Sequence, residues 1–130
     1  MQTILLIEND PPTLIARSLI LRCFGYAVLE ADSRGKAWSV CAEHRGPIHL
    51  TVMEVRLDHD SVHEFFTRLQ LVHPEMRALV LTDASSIRMA ENLAMTCVCS
   101  FLHRPFQADD LADSIRALLD APKERTVTSA

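Results

Sequence analysis

The run Leu50-Thr51-Val52-Met53-Glu54 leaves this chain few ways to fold. It is short, β-branched and apolar, and it ends on a carboxylate. Without polar alternation it has no face to offer water. It therefore reads as a strand buried on both sides, as in a parallel sheet covered by helices. Such sheets gather their sites at the carboxyl ends of their strands, which is where Glu54 falls. Other strand ends converge on the same region. Ile4-Leu5-Leu6-Ile7 runs into Glu8-Asn9-Asp10, Leu79-Val80-Leu81 runs into Thr82-Asp83, and Phe101-Leu102-His103-Arg104-Pro105-Phe106 brings a cation.

A length of 130 residues suits one domain with one core. No apolar run approaches the ~20 residues needed to span a bilayer. The N-terminus enters a strand pattern with no basic region before it, so no signal peptide and no membrane partner are expected. The net charge of −4 and the lack of a basic stripe argue against nucleic-acid binding by this chain alone. Cys23, Cys41, Cys97 and Cys99 form no Cys-x-x-Cys pair. They read as reduced, mostly buried thiols of a cytoplasmic protein. Cys97-x-Cys99 has no second Cys/His pair at finger spacing, which disfavours a zinc site.

Taken in order, Gln2 to Ile7 is the first strand. Asn9 or Asp10 caps a helix whose first turn holds Pro11 and Pro12, where no amide donor is needed. That helix runs to about Phe24 and stops at Gly25. Its apolar residues Leu14, Ile15, Leu19, Ile20, Leu21 and Phe24 cover more than one stripe. They form either a broad core face or a core face plus a second face for a partner. Tyr26 to Ala31 is a strand, and Ser33 to His44 is a helix ended by Gly46-Pro47, with Trp38 as a packing residue. His49 to Glu54 is the central strand. Ser61-Val62-His63-Glu64 has capping-box spacing and opens a helix ending near His73. Ala78 to Thr82 is a strand, and Ser85 or Ser86 begins a helix reaching about Met95. Cys99 to His103 is the last strand and Ala108 to Asp120 the last helix, with Asp109 and Asp110 near its positive end. Residues 1–120 thus form one domain, and 121–130 a polar tail or linker stump.

Five strands alternating with five helices argue for an α/β, doubly wound parallel sheet. Right-handed crossovers favour the flavodoxin-like order 2-1-3-4-5. Glu8, Asn9, Asp10 and Glu54 then meet between the first and third strands. The three glycines lie at 25, 35 and 46, away from these strand ends, which disfavours a phosphate-cradling loop and so a nucleotide or flavin. Clustered carboxylates suit Mg²⁺; the alternative is a helix cap, Asp10, beside solvated acids. His59 and His63 are four apart but need not share a face, so a softer metal is disfavoured. No Ser/His/Asp constellation is legible, and the chain is not read as an enzyme.

With these motifs in order, residues 2 to 120 resemble the receiver domains of two-component response regulators. Ile4 to Pro11 looks like the family's opening strand and acidic motif, and Gly25-Tyr26-Ala27-Val28 like its second-strand entrance. Thr82 falls at its switch Thr or Ser. Phe101 to Phe106 looks like its aromatic-Leu-x-Lys-Pro-Phe ending, with Phe101 as the aromatic switch residue. The resemblance implies a metal pocket at Glu8, Asn9 and Asp10, a phosphoacceptor position at Glu54, and supporting roles for Thr82 and Arg104.

The same resemblance marks departures. The acceptor Asp is Glu54, the second acid of the metal pair is Asn9, and the Lys is Arg104. The usual Pro and Gly after the acceptor are Asp58 and Val62, and the small residue after the switch Thr is Asp83. The Gly-Ala before the last strand is Cys97-Val98. Glu carries its carboxylate about 1.5 Å beyond that of Asp, and in-line phosphoryl transfer is sensitive to that placement. Arg prefers a bidentate grip on a carboxylate. The expectation is an atypical receiver with phosphorylation impaired or lost and no cofactor, its resting state set by a Glu54–Arg104 pair. The alternative is a working Mg²⁺-dependent phosphoacceptor receiver served by a histidine kinase. Expected partners are a sensor kinase or other signalling protein, docking on the first helix through Ile15 and Leu19. A homodimer through the fourth helix, fifth strand and fifth helix, with Arg88, Glu91, Phe101 and Arg116, is the other candidate.

Overall fold

The computed structural model describes residues 1–55, 62–83 and 87–122, without the side chains of residues 87–89. Five strands, β1 (Thr3–Ile7), β2 (Ala27–Ala31), β3 (Leu50–Val55), β4 (Arg77–Thr82) and β5 (Cys99–His103), alternate with five helices. The helices are α1 (Pro11–Cys23), α2 (Arg34–Glu43), α3 (Val62–Gln70), α4 (Ile87–Ala94) and α5 (Ala108–Asp120). The sheet is wholly parallel, in the order β2-β1-β3-β4-β5. This is the doubly wound, flavodoxin-like order expected from the alternation.

Strand alternation divides the core in two. Ile4, Leu6, Leu50, Val52, Leu79 and Leu81 pack with Leu21 of α1 and with Leu111, Ile115 and Leu118 of α5. Leu5, Ile7, Met53, Val55 and Val80 face Ala37 and Cys41 of α2, Phe66 and Leu69 of α3, and Leu93 of α4. Both faces of β3 are therefore dry, which is why its sequence shows no polar alternation.

The local signals behave as their chemistry dictates. Asp10 caps α1, accepting from the Thr13 amide at 3.2 Å, with prolines in the first turn. Gly25 (φ 94°) and Gly46 (φ 101°) take the left-handed conformation that ends α1 and turns the chain after α2. Several boundaries differ from expectation. β3 begins and ends one residue later than His49–Glu54: at its start the His49 ring accepts the Thr3 amide at 2.9 Å, and at its end Val55 still pairs with Thr82 of β4. β2 begins at Ala27, since Tyr26 still bonds back to Leu21. α3 stops at Gln70 and not near His73, because Leu71 and Val72 close a turn onto Arg68 and Leu69. The expected Ser61 cap, the Ser85 or Ser86 start of α4, Asp58, His59 and tail residues 123–130 lie outside the described residues. Trp38 does not pack into the core: it is half exposed, with the Arg68 guanidinium 5.8 Å from its ring centroid. Cys41 and Cys97 are buried as expected, whereas Cys23 is exposed at the end of α1. Among the described residues no helix is long and apolar enough to cross a membrane.

Candidate functional site

Strand register places the two central acids. Ile7 pairs with Met53 across β1 and β3, so Glu8 and Glu54 are neighbours one step further along. Leu6 and Val52, two residues earlier, face α1 and α5, and the period of two carries Glu8 and Glu54 to that same face. Glu8 is 3% exposed. Its Oε1 accepts the Asp10 amide at 3.1 Å.

The cation that meets both acids comes from α1. Arg17 Nη1 lies 3.0 Å from Glu8 Oε2 and 3.0 Å from Glu54 Oε2. Leu14, Arg17, Ser18 and Leu21 follow helical spacing on the inward side of α1, which aims Arg17 at the strand ends. The Phe106 ring stands 5.6 Å from its guanidinium carbon, close enough for a cation–π contact. Arg104 reaches past β4 to Glu54 Oε1, as expected of the pair, and its Nε donates to Asp83 Oδ1 at 2.7 Å. Glu54 is therefore held by two guanidiniums. The Arg104 backbone amide donates to the Thr82 carbonyl at 3.0 Å, fixing the approach.

The two acids titrate apart. Burial, and then the hydrogen bond with Glu54, push the Glu8 carboxyl up to about 7. Burial works against the Glu54 charge as well. The hydrogen bonds with Glu8 and Arg17 and the charge of Arg104 together outweigh it, and its carboxyl lies below the usual range. The hydrogen bond to Asp83 leads the effects that hold Arg104 even more firmly protonated.

A sequence-family model described as the response regulator receiver domain matches residues 4–116. The chain belongs to this receiver family. It is 31% identical over 117 residues to the transcriptional regulatory protein GlrR of Escherichia coli (strain K12), covering 90% of this chain and 26% of that protein. It is 25% identical over 118 residues to the sensor kinase CckA of Brucella abortus (strain 2308), covering 91% of this chain and 12% of the kinase. The chain thus spans about a quarter of the length of GlrR and less of CckA. A receiver domain protein from Methanospirillum hungatei JF-1 superposes with a TM-score of 0.78 at 20% identity, over 92% of this chain and 94% of that one.

In this receiver the expected site residues are only partly assembled. Glu8, Glu54 and Arg104 meet. Asp10 does not join them: its carboxylate turns back to the Thr13 amide and hydroxyl to cap α1, the bland alternative for that residue. Asn9 is exposed and lines a cleft of about 250 Å³ with Glu8, Glu54, Asp32, Ser33 and Arg34. Thr82 is fully buried at the end of β4. Phe101 is half-buried and packs on the α2–α3–α4 side of the sheet. Ile15 and Leu19 are each 60% exposed, so α1 does carry apolar surface beyond its core face. On the second candidate surface Glu91 is exposed. Arg116, however, stands over the Tyr26 ring, 5.8 Å from its centroid, on the sheet face opposite α4.

The divalent cation that the family implies does not fit the residues present. Both oxygens of Glu8 and both of Glu54 already accept protein donors. Two unit charges ~4 Å apart at an effective dielectric of ~20 interact by about 4 kcal/mol. A divalent ion at that distance would be repelled about twice as strongly by each of Arg17 and Arg104, against attractions of similar size from Glu8 and Glu54.

Arg17 is the residue that reading the sequence for apolar periodicity passes over. Its signal is a cation on the inward stripe Leu14-Arg17-Ser18-Leu21, where an apolar residue would be the default. The Glu54–Arg104 contact carries a prediction of its own. Arg104→Ala and Glu54→Gln should couple by about 1–2 kcal/mol in a double-mutant cycle read by urea unfolding. Additive single effects would mean that the contact contributes nothing to stability.

Proposed function

We propose that this receiver acts in two-component signalling through protein contacts, with transfer of a phosphoryl group to Glu54 impaired or lost. One observation carries the reading: the Glu54 carboxylate has Arg104 on one oxygen and Arg17 on the other. An incoming phosphoryl group would have to approach Glu54 past a guanidinium on each of its oxygens, within partly buried ion pairs. Glu54 would also have to attack in line from a carboxylate set about 1.5 Å further out than that of Asp. Losing charge-assisted hydrogen bonds of this kind costs roughly 1.5–3 kcal/mol each, about tenfold to a hundredfold in rate if lost on the way to the transition state.

The partner in this reading is a sensor kinase or another signalling protein. The exposed apolar pair Ile15 and Leu19, beside the site on α1, supports docking there. On the α4–β5–α5 face Glu91 and Arg116 are exposed, and the Arg88 side chain lies outside the described residues. Matches to both a transcriptional regulator and a sensor kinase fit a receiver that serves as a signalling module.

The test is the response to Mg²⁺ with beryllofluoride, a phosphoryl analogue, followed by amide NMR. The expected result is little change at residues 8, 54 and 82. Saturable shifts clustered at those residues would favour the working Mg²⁺-dependent receiver instead.

A further inference from the structure

We propose that the Arg17 guanidinium takes the place of the divalent cation in this receiver, making its acidic pocket complete without metal. The proposal rests on the atypical-receiver reading above and goes further, naming the group that closes the pocket. A single nitrogen, Arg17 Nη1, lies 3.0 Å from an oxygen of each acid. A metal ion bridging Glu8 and Glu54 through those two oxygens would have to displace Nη1. Mg²⁺ requires oxygens at about 2.0–2.1 Å in near-octahedral array, which cannot be met while Nη1 stays between them. The remaining donors are spent or weak. Glu8 Oε1 holds the Asp10 amide, Asp10 caps α1, and Asn9 offers only a neutral amide oxygen. Cations already face both acids: Arg17 lies on Glu8 and Glu54, Arg104 lies on Glu54, and Asp83 holds the far side of Arg104. Arg17 is itself well placed to stay, with its side chain 14% exposed and Phe106 beside its guanidinium.

Two explanations for poor metal binding, the missing acid at Asn9 and the resident cation at Arg17, separate in a four-protein experiment. Wild type, Asn9→Asp, Arg17→Met and the double variant are titrated with Mn²⁺, reading paramagnetic broadening of amides 8–10 and 54. Mg²⁺ competition confirms a shared site. Met preserves most of the buried stem of Arg17, and amide dispersion checks that each variant is folded. The expected result is no saturable broadening for wild type or Asn9→Asp. Saturable, Mg²⁺-competed binding should appear in the double variant, at least roughly tenfold tighter than any in Asn9→Asp. Saturable millimolar binding by wild type or by Asn9→Asp alone overturns the proposal, as does a folded double variant that gains nothing. If the Arg17 variants do not fold, the wild-type and Asn9→Asp titrations still decide against it or for it by that criterion. Metal binding by wild type without phosphoryl uptake would sink this inference and leave the atypical-receiver reading standing, whereas phosphoryl uptake on Glu54 would sink that reading.

Discussion

Arg17→Ala should destabilise the domain by about 1.5–3 kcal/mol, the range for a hydrogen bond to a charged group. The loss leaves Glu8, 3% exposed, without its cation and takes one of two guanidiniums from Glu54. It also removes the Phe106 contact. Against a typical total of about 5–15 kcal/mol, that is a large share. Adding Glu8→Gln to Arg17→Ala should recover part of it, because a neutral amide needs no counter-charge. Urea midpoints at about pH 8, above the Glu8 value near 7, measure both effects. A loss under about 1 kcal/mol, the usual worth of an exposed pair, would mean that the bridge is ornamental.

The second large effect is a pH dependence with an unusual sign. The Glu8 carboxyl lies near 7 in the folded protein, above the ~4.3 of an unperturbed Glu. The native state therefore binds more protons than the unfolded chain between these values, and stability falls as pH rises through that window. Below it the Glu8 contribution is fully present; above about 7 it is lost. Glu54 works the other way, since its folded value is depressed: its contribution is present above ~4.3 and is lost as pH falls through its folded value. Between pH 5 and 7.5, wild type should lose on the order of 2 kcal/mol relative to Glu8→Gln. Parallel profiles for the two proteins would show that Glu8 is ionised throughout.

What the sequence made legible follows the physics of each signal. β5 and α5 coincide with expectation at Cys99–His103 and Ala108–Asp120, because a compact apolar run and an acidic first turn mark their own ends. Glu8 beside Glu54 followed from the strand order 2-1-3-4-5, which sets the ends of β1 and β3 side by side. Asp10 could have served as cap or as ligand, and only the turn of its side chain toward Thr13 distinguishes the two. Ile15 and Leu19 were ambiguous for the same reason, since the stripe of α1 is wider than one face. Arg17 was missed because apolar periodicity ignores charged residues, while a long side chain with an apolar stem can sit on a core face and deliver its charge at the rim.

We propose that Glu54, engaged by the protein's own cations, does not accept a phosphoryl group. Incubation with a radiolabelled small phosphodonor and Mg²⁺ tests it most directly, with Glu54→Gln as the control. The expected result is no stable label on wild type beyond that control. A stable label on wild type that Glu54→Gln abolishes would contradict it.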